Sequence, residues 1–263
     1  MKAMTEVGRR STRGDRFVPD YSHLVLPSRL ELNHPLAMTS NLKRADAGLR
    51  SILDRNQIGL IDGLPGTGKT TFAQYAAERC GRPSAIAVMP ENPAPLDFLR
   101  ISITAVTGHN PHGGTKTEME AELIESLSTW QGLLIVDEVQ NVRFRGLNEA
   151  RYIHDITRPK FPMLLLGHRA LQSVQENPTL DSRVRIRRVF KALQGAELFE
   201  TVRTISTAFN DQPDDVIRYA DDKWGRGNLR RWVSLVETLD DLAVQTATRF
   251  DIDMVLAEMG VAA

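Results

Sequence analysis

The feature that most constrains this chain is a glycine-rich loop with the sequence GLPGTGKT at residues 63–70. Its spacing of two glycines, a lysine and a threonine is that of a phosphate-binding loop. It follows an apolar run at residues 57–62 and opens a stretch rich in helix formers, so we expect strand, loop and helix in that order. In this setting backbone N–H groups converge on phosphate oxygens, and the helix N-terminus adds a positive dipole end. The loop therefore predicts a nucleotide-binding α/β domain.

The residue types in this loop assign the roles that bind a nucleotide and its metal ion. Lys69 is expected to reach the β- and γ-phosphates, and the Thr70 hydroxyl to coordinate Mg²⁺. We expect the cofactors to be ATP and Mg²⁺. The predicted nucleotide contacts are Gly63, Leu64, Pro65, Gly66, Thr67, Gly68, Lys69, Thr70 and Thr71.

Two adjacent acids follow a second apolar run, Leu-Leu-Ile-Val at residues 133–136. Because successive strand residues point opposite ways, Asp137 and Glu138 can take different roles at the strand end. We assign Asp137, with Thr70, to the Mg²⁺ shell, and Glu138 to polarising the attacking water. A water-activating acid is typical of an ATPase and separates it from a nucleotide kinase, which must keep water out.

Histidines stand at two further places where a chemical role would be expected. His168 follows the apolar run at residues 162–166, where a polar side chain can sense the γ-phosphate or orient water; a structural histidine is the alternative. His109 and His112 lie three apart in a Pro/Gly loop, with no cysteine or acidic residue near them in the sequence. We therefore do not expect a metal site at these two histidines.

Arginines are concentrated at two positions. The run Arg183, Arg185, Arg187 and Arg188 contains no acid, and on a strand the first three share one face. It predicts an arginine finger for a neighbouring subunit's nucleotide, a phosphate-binding strip for nucleic acid, or a charged edge strand that resists aggregation. Arg230 lies just after a helix start and is expected to cover the nucleotide, with a plain surface charge as the alternative.

The hydrophobic pattern divides the chain into three parts. Residues 1–40 are predicted to form a basic N-terminal arm and an extended segment, residues 41–194 the nucleotide-binding core, and residues 195–263 a helical lid. Predicted strands cover residues 57–62, 84–89, 133–136, 162–166 and 185–192. Predicted helices cover residues 42–53, 69–79, 95–106, 117–130, 147–157, 196–209, 214–223, 228–248 and 251–258, with Asn41 as the first helix cap and Thr117 with Glu120 as a capping box.

Composition narrows the setting of the protein. Lysine plus arginine equals aspartate plus glutamate, 33 against 33, so global charge gives no case for nucleic acid. No apolar run approaches the roughly 18 residues that span a bilayer. The single cysteine, Cys80, fits a reducing compartment. These features predict a cytoplasmic protein that is not inserted in a membrane.

The motifs together resemble the AAA+ ATPases over about residues 41–232. The resemblance rests on residues 63–70, on 133–138, on the strand ending at His168, on the Arg183 region, and on Gly227-Asn228-Leu229-Arg230. Within that superfamily the chain is similar to the DNA-transposition regulators of the TnsC, MuB, TniB and IstB type. This narrower similarity rests on residues 136–141, 149–155, 164–167 and 177–188.

The resemblance implies a parallel sheet flanked by helices, with a small C-terminal helical lid. It implies ATP hydrolysis at subunit interfaces, assembly of a homo-oligomeric ring or filament on duplex DNA, and recruitment of a transposase. It also implies that Arg230 is the second sensor, and that Arg183 or Arg185 is the arginine finger. Duplex contacts are implied at Thr115, Lys116 and Thr117. His168 departs from the residues usual at the first sensor, which implies slow hydrolysis.

Other functions stay open at this level. A different AAA+ class, such as a helicase loader or a secretion-associated ATPase, is the main alternative. A scaffold protein that holds ATP without hydrolysing it is another.

Overall fold

A computed structural model describes residues 20–261 of the chain. Of the predicted N-terminal arm and extended segment, residues 1–19 lie outside the described range, as do the last two positions of the chain. Within the described range, none of the helices combines the length and the apolar character needed to cross a bilayer.

A six-stranded sheet forms the centre of the molecule, with the order β1-β3-β4-β5-β2-β6. The strands are β1 Val25–Leu26, β2 Ile58–Gly63, β3 Ser84–Val88, β4 Leu133–Asp137, β5 Met163–Gly167 and β6 Val184–Phe190. All neighbours are parallel except β1, which runs antiparallel to β3. Every residue of β4 and β5 is buried, as expected for strands covered on both faces. The predicted parallel sheet is confirmed.

Helices cover both faces of this sheet. They are α1 Ser40–Asp54, α2 Lys69–Arg79, α3 Asp97–Thr107, α4 Lys116–Trp130, α5 Phe144–Ile156, α6 Ala170–Gln175, α7 Pro178–Asp181, α8 Gly195–Ile205, α9 Asp214–Ala220, α10 Leu229–Asp241 and α11 Arg249–Glu258. One apolar cluster packs α3 to α7 on one face of the sheet, and a second packs α1 and α2 on the other. The strand–helix alternation read from the sequence thus produces a three-layer arrangement.

The C-terminal helices α8 to α11 have an apolar core of their own. Its largest member, Trp232, is fully buried, and its indole Nε1 donates a hydrogen bond to Asp221 Oδ1 at 2.9 Å. The predicted C-terminal helical region is present. The division of the chain at residue 194 remains a prediction.

Helix caps differ from the predicted ones at two places. Thr39, not Asn41, caps α1, because the Thr39 side chain accepts from Leu42 N while the Asn41 amide donates to Lys191 O. The capping box of α4 is formed by Thr115 and Glu118 rather than by Thr117 and Glu120. Both helices therefore begin earlier than predicted. In each helix the N-cap is a threonine with an extended backbone, and its side chain, rather than the apolar periodicity, fixes the first turn.

The predicted helix over residues 228–248 is too long. α10 ends at Asp241, and Ala243 adopts a left-handed backbone with φ of 54°. Val244 N then donates to Leu239 O at 3.0 Å, which closes the helix end. Alanine gives no sequence signal for such a stop, since glycine or asparagine usually occupies this conformation.

Candidate nucleotide site

A cavity of about 370 Å³ lies between the loop after β2, the ends of β4 and β5, and the start of α10. Residues 65–71 form one wall, and Glu138, His168 and Arg230 line it from other elements. Its apolar lining comes from Leu36, Leu42, Phe190, Ile205, Leu229 and Val233. The cavity therefore offers polar groups for phosphates and apolar side chains for a ring, and a nucleotide needs both.

The glycines of the loop allow its tight path. Gly66 and Gly68 have φ of 79° and 90°, a left-handed conformation that side chains rarely adopt. A Cβ at Gly66 would lie 2.1 Å from Asn228 Oδ1. Gly68 is also the N-cap of α2, so the helix begins directly at Lys69 and points its free N–H groups toward the loop.

Lys69 is held inside the loop. Its Nζ donates hydrogen bonds to the carbonyl oxygens of Gly63 at 2.8 Å and Leu64 at 3.0 Å. Burial lowers the pKa of Lys69, and the nearby charges of Glu138 and Asp137 oppose that effect. The Lys69 ammonium is therefore close enough to both acids to interact with them. A site that binds a phosphate between this lysine and a metal ion on the acids requires this proximity.

Thr70 and Asp137 meet directly across the site. Thr70 Oγ1 donates to Asp137 Oδ2 at 2.7 Å. Asp137 is only 2% exposed, and this burial raises the pKa of its carboxyl; hydrogen bonds from Thr70 and the Glu138 amide oppose the rise. A hydroxyl and a desolvated carboxylate beside a phosphate loop are oxygen ligands of the kind Mg²⁺ prefers. The residues present thus fit the predicted metal.

Glu138 has a strained backbone. β4 ends at Asp137, and Glu138 adopts a left-handed conformation with φ of 55°. The two acids therefore diverge because the strand ends between them, and not through strand alternation as the sequence suggested. The Glu138 carboxylate lines the cavity and accepts a hydrogen bond from Gln140 Nε2. Strain of this kind in a non-glycine residue is concentrated at functional sites.

His168 and Arg230 are both brought to the cavity. His168 follows β5 and is half-buried, while Arg230 is exposed in the first turn of α10. Arg230 is close enough to lower the pKa of Lys69 by charge repulsion. The sensor roles assigned to these two residues remain predictions.

Several site residues were missed from the sequence. Asn228 caps α10 by accepting from Arg231 N, and its Nδ2 donates to Pro65 O at 2.9 Å, joining the helical region to the loop. A helix cap next to glycine was visible in the sequence, but its reach to Pro65 was not. Gln140 contacts Glu138; it belongs to residues 136–141, which carry the narrower similarity, but the sequence assigns it no role. The segment carrying Leu32 and His34 also lines the cavity, and no motif marks it.

Arg183, Arg185 and Arg187 are all exposed, while Val184 is buried and Ile186 is half-buried, and two local features modify the predicted row. Arg183 lies before the strand, and a register shift between Val184 and Ile186 leaves Arg185 as the extra residue of a bulge. Acids are also close by. Arg183 pairs with Asp155 at 3.0 Å, and Arg187 pairs with Asp181 at 2.8 Å. Repulsion along a shared face is therefore not a feature of this edge.

The predicted duplex contacts lie at the start of α4. Thr115 is occupied as the helix cap, and Lys116 pairs with Glu149 at 3.0 Å and Glu120 at 3.3 Å. Both Lys116 and Thr117 are exposed. A DNA phosphate would have to displace two carboxylates from Lys116, and the role of these three residues remains a prediction.

The fold and the glycine-rich loop define an α/β protein of the P-loop class, and comparison with known proteins narrows that class. Residues 52–175 match the family model described as an AAA domain. The chain has the α/β fold of the P-loop AAA+ ATPases, and the match to the family model covers its central part. No curated protein matches the sequence.

Several solved structures share this fold. Cdc6p from Pyrobaculum aerophilum is 16% identical with a TM-score of 0.66, covering 91% of this chain and 71% of that one. The Holliday junction branch migration motor RuvB of Thermotoga maritima is 17% identical with a TM-score of 0.55, covering 85% and 70%. The replication initiator DnaA, bound to AMPPCP and single-stranded DNA, is 17% identical with a TM-score of 0.57, covering 80% and 66%.

Proposed function

We propose that this protein is an ATP-dependent DNA-binding assembly factor that recruits or activates a transposase. It binds ATP with Mg²⁺, assembles as a homo-oligomer on duplex DNA, and uses hydrolysis to time disassembly. The observation that carries the ATPase part is the pairing of Thr70 with Asp137 beside Lys69, in a cavity that also exposes Glu138.

The residues divide the chemistry between them. Lys69 exchanges its bonds to the Gly63 and Leu64 carbonyls for phosphate oxygens, and the N–H groups of the loop surround the rest of the phosphate chain. Thr70 and Asp137 would hold Mg²⁺, which neutralises charge on the phosphates. Glu138 accepts the proton of the attacking water once its carboxylate leaves Gln140.

The lid provides the coupling between nucleotide and assembly. Arg230 lies over the cavity and Asn228 contacts the loop, so the phosphate state can set the position of α10. The arginine finger is assigned to Arg183 or Arg185, both of which are exposed at the edge strand of the sheet. An edge position is where a neighbouring subunit could be reached.

DNA and transposase are supported on different grounds. RuvB and DnaA, whose folds are similar, are described with a Holliday junction and with single-stranded DNA. The transposase partner rests on the sequence similarity to the transposition regulators. Contacts from lysine and arginine to phosphates carry no base information, so the proposed duplex binding is tolerant of sequence.

Electron microscopy of the purified protein with duplex DNA tests this proposal. Rings or filaments are expected with a non-hydrolysable ATP analogue, and not without nucleotide. Lys69→Ala serves as the control, because it removes a phosphate ligand and should prevent assembly. The proposal fails if assemblies are absent with the analogue, or form equally in the Lys69→Ala variant.

A second function, in replication, is favoured by the similarity to the replication initiator DnaA. Co-purification with a transposase encoded beside the gene distinguishes the two. Binding of that transposase only in the ATP-bound state supports the role in transposition. Binding of the replicative helicase instead supports a role as a helicase loader.

A further inference from the structure

A separate cluster of chemical interest lies between α3 and α4, away from the nucleotide cavity. It consists of His109, His112 and Glu122, and one ligand atom of each lies within 4.8 Å of the others. The sequence pattern predicted no metal site here because no acid stands near the two histidines along the chain. The fold supplies one, since Glu122 of α4 is turned toward the loop.

Glu122 is bonded to the loop by both carboxylate oxygens. Oε1 lies 2.9 Å from His112 Nδ1, and Oε2 accepts from His112 N at 2.9 Å. Glu122 is only 16% exposed at its side chain, whereas His112 is 77% exposed. The carboxylate is thus fixed in place, and a histidine ring with free space around it stands against it.

His109 is oriented by the main chain. Its Nδ1 lies 3.0 Å from Asn110 O, and a carbonyl can only accept, so Nδ1 carries the proton. Nε2 is then left with a free lone pair. A metal-binding histidine is commonly held in this way, with its other ring nitrogen on a backbone carbonyl. The two rings lie close together, with centroids 4.4 Å apart.

We infer that His109, His112 and Glu122 form a binding site for a divalent transition-metal cation, with Zn²⁺ as the ion that fits best. Two imidazoles and one carboxylate suit Zn²⁺ with water as the fourth ligand, whereas Mg²⁺ and Ca²⁺ prefer oxygen ligands throughout. Ligand atoms around tetrahedral Zn²⁺ are about 3.3 Å apart, given bonds of about 2.0–2.1 Å. Binding would release the proton between His112 Nδ1 and Glu122 Oε1, and movement of the two exposed rings would bring the ligand atoms to this spacing.

Binding would fasten the loop to the helix. The loop of residues 108–114 would be cross-linked to α4 through the cation, just before Thr115, Lys116 and Thr117. The site makes no use of the nucleotide residues, so it stands or falls independently of the proposed ATPase.

Calorimetric titration of tag-free, chelator-treated protein with Zn²⁺ tests the site. The variants are His109→Gln, His112→Gln and Glu122→Gln, each of which removes one ligand. The matched control is His23→Gln, because His23 is an exposed histidine outside the cluster. Co²⁺ is the second probe, since its visible absorption reports nitrogen ligands and separates this site from the oxygen ligands Thr70 and Asp137.

The expected result is one Zn²⁺ equivalent whose affinity falls by at least about tenfold in each of the three variants and is unchanged in His23→Gln. The Co²⁺ absorption should disappear in the same three variants. Absence of a Zn²⁺ equivalent in the wild-type protein would overturn the inference. Wild-type affinity for Zn²⁺ in any two of the three variants would also overturn it, and the cluster would then be only a surface pair of His112 and Glu122.

Discussion

At the scale of single residues, the burial of Asp137 lowers the stability of the folded protein but prepares a carboxylate for the proposed metal ion. Its carboxylate is almost fully buried, and the two hydrogen bonds from Thr70 and the Glu138 amide only partly compensate the lost hydration. Burial raises the pKa of this carboxyl, so the charged form is disfavoured in the folded chain compared with the unfolded one. A bound cation would remove that disadvantage.

Asp137→Asn is therefore expected to stabilise the metal-free protein. The neutral amide can keep both contacts, with its oxygen accepting from the Glu138 N–H and its NH2 group donating to Thr70 Oγ1, so Tm should rise by a few degrees at neutral pH. The raised pKa of Asp137 destabilises the folded wild-type protein at pH values above the ordinary pKa of an aspartate, and not below it. The difference in Tm between Asp137→Asn and the wild-type protein should therefore narrow as the pH is lowered toward about 4. Calorimetry with and without Mg²⁺ and ATP checks this.

The control for that variant is Asp211→Asn, which changes the same charge at an exposed position. It should leave Tm nearly unchanged. Added Mg²⁺ and ATP should stabilise the wild-type protein more than Asp137→Asn, because a ligand stabilises only the state that binds it. A lower Tm in metal-free Asp137→Asn would contradict the account of the buried charge.

The motif residues could be read from the sequence because chemistry fixes their spacing. The loop at residues 63–70 and the acids after β4 are found where the apolar runs end. The left-handed backbone of Glu138 could not be predicted, since glutamate gives no sequence signal for a conformation that glycine or asparagine usually adopts. The packing beside it was also hidden, because a Cβ at Gly167 would lie 2.1 Å from Gln140 Oε1. The room for Gln140 beside Glu138 thus depends on a distant glycine.

At the scale of elements, the start of α10 joins two parts of the molecule. Asn228 accepts from Arg231 N as the helix cap and donates to Pro65 O of the phosphate loop. One side chain therefore serves both the stability of the helix and its position over the cavity. Substitutions can separate these two contributions.

Asn228→Ser should keep the cap but lose the contact with Pro65, because its hydroxyl is too short to reach. Its Tm should stay near that of the wild-type protein, while its affinity for nucleotide falls. Asn228→Ala should lose both, with a further loss of about 1 kcal/mol of stability from the missing cap. Calorimetry and nucleotide titration of the pair measure the two effects. Wild-type nucleotide affinity in Asn228→Ser would show that the contact does not matter.

Elements with local signals were predicted well, and those set by tertiary contacts were not. α2 has the predicted bounds, residues 69–79, because the loop glycine fixes its start. The bulge at Arg185 depends on pairing with β2, which is distant in sequence. The acids that neutralise Arg183 and Arg187 likewise come from other elements, so a charge run could not reveal its partners.

At the scale of the whole molecule, balanced charge limits the reach of electrostatics. The chain carries 33 basic and 33 acidic residues, and many of the exposed ones in the described part are paired within the chain. Net charge therefore supplies no long-range attraction to a polyanion. The proposed duplex binding depends on local contacts and on the number of subunits assembled.

Affinity for duplex DNA should fall steeply with salt, because phosphate contacts release counterions. Lys116→Ala should reduce the slope of log affinity against log salt by about one unit per subunit contact, as expected for one lost phosphate partner. Lys160→Ala removes the same charge at another exposed position and serves as the control. Anisotropy titrations at several salt concentrations measure the slope. A flat dependence would exclude phosphate contacts.

The proposed ATPase requires that the cavity beside Lys69 binds ATP and that Glu138 activates water there. Phosphate release and nucleotide affinity, measured together for the wild-type protein and Glu138→Gln in the presence of duplex DNA, test it most directly. We predict that the variant binds ATP as tightly as the wild-type protein, while its phosphate release falls by at least about 100-fold. Equal phosphate release by the two proteins would contradict the claim.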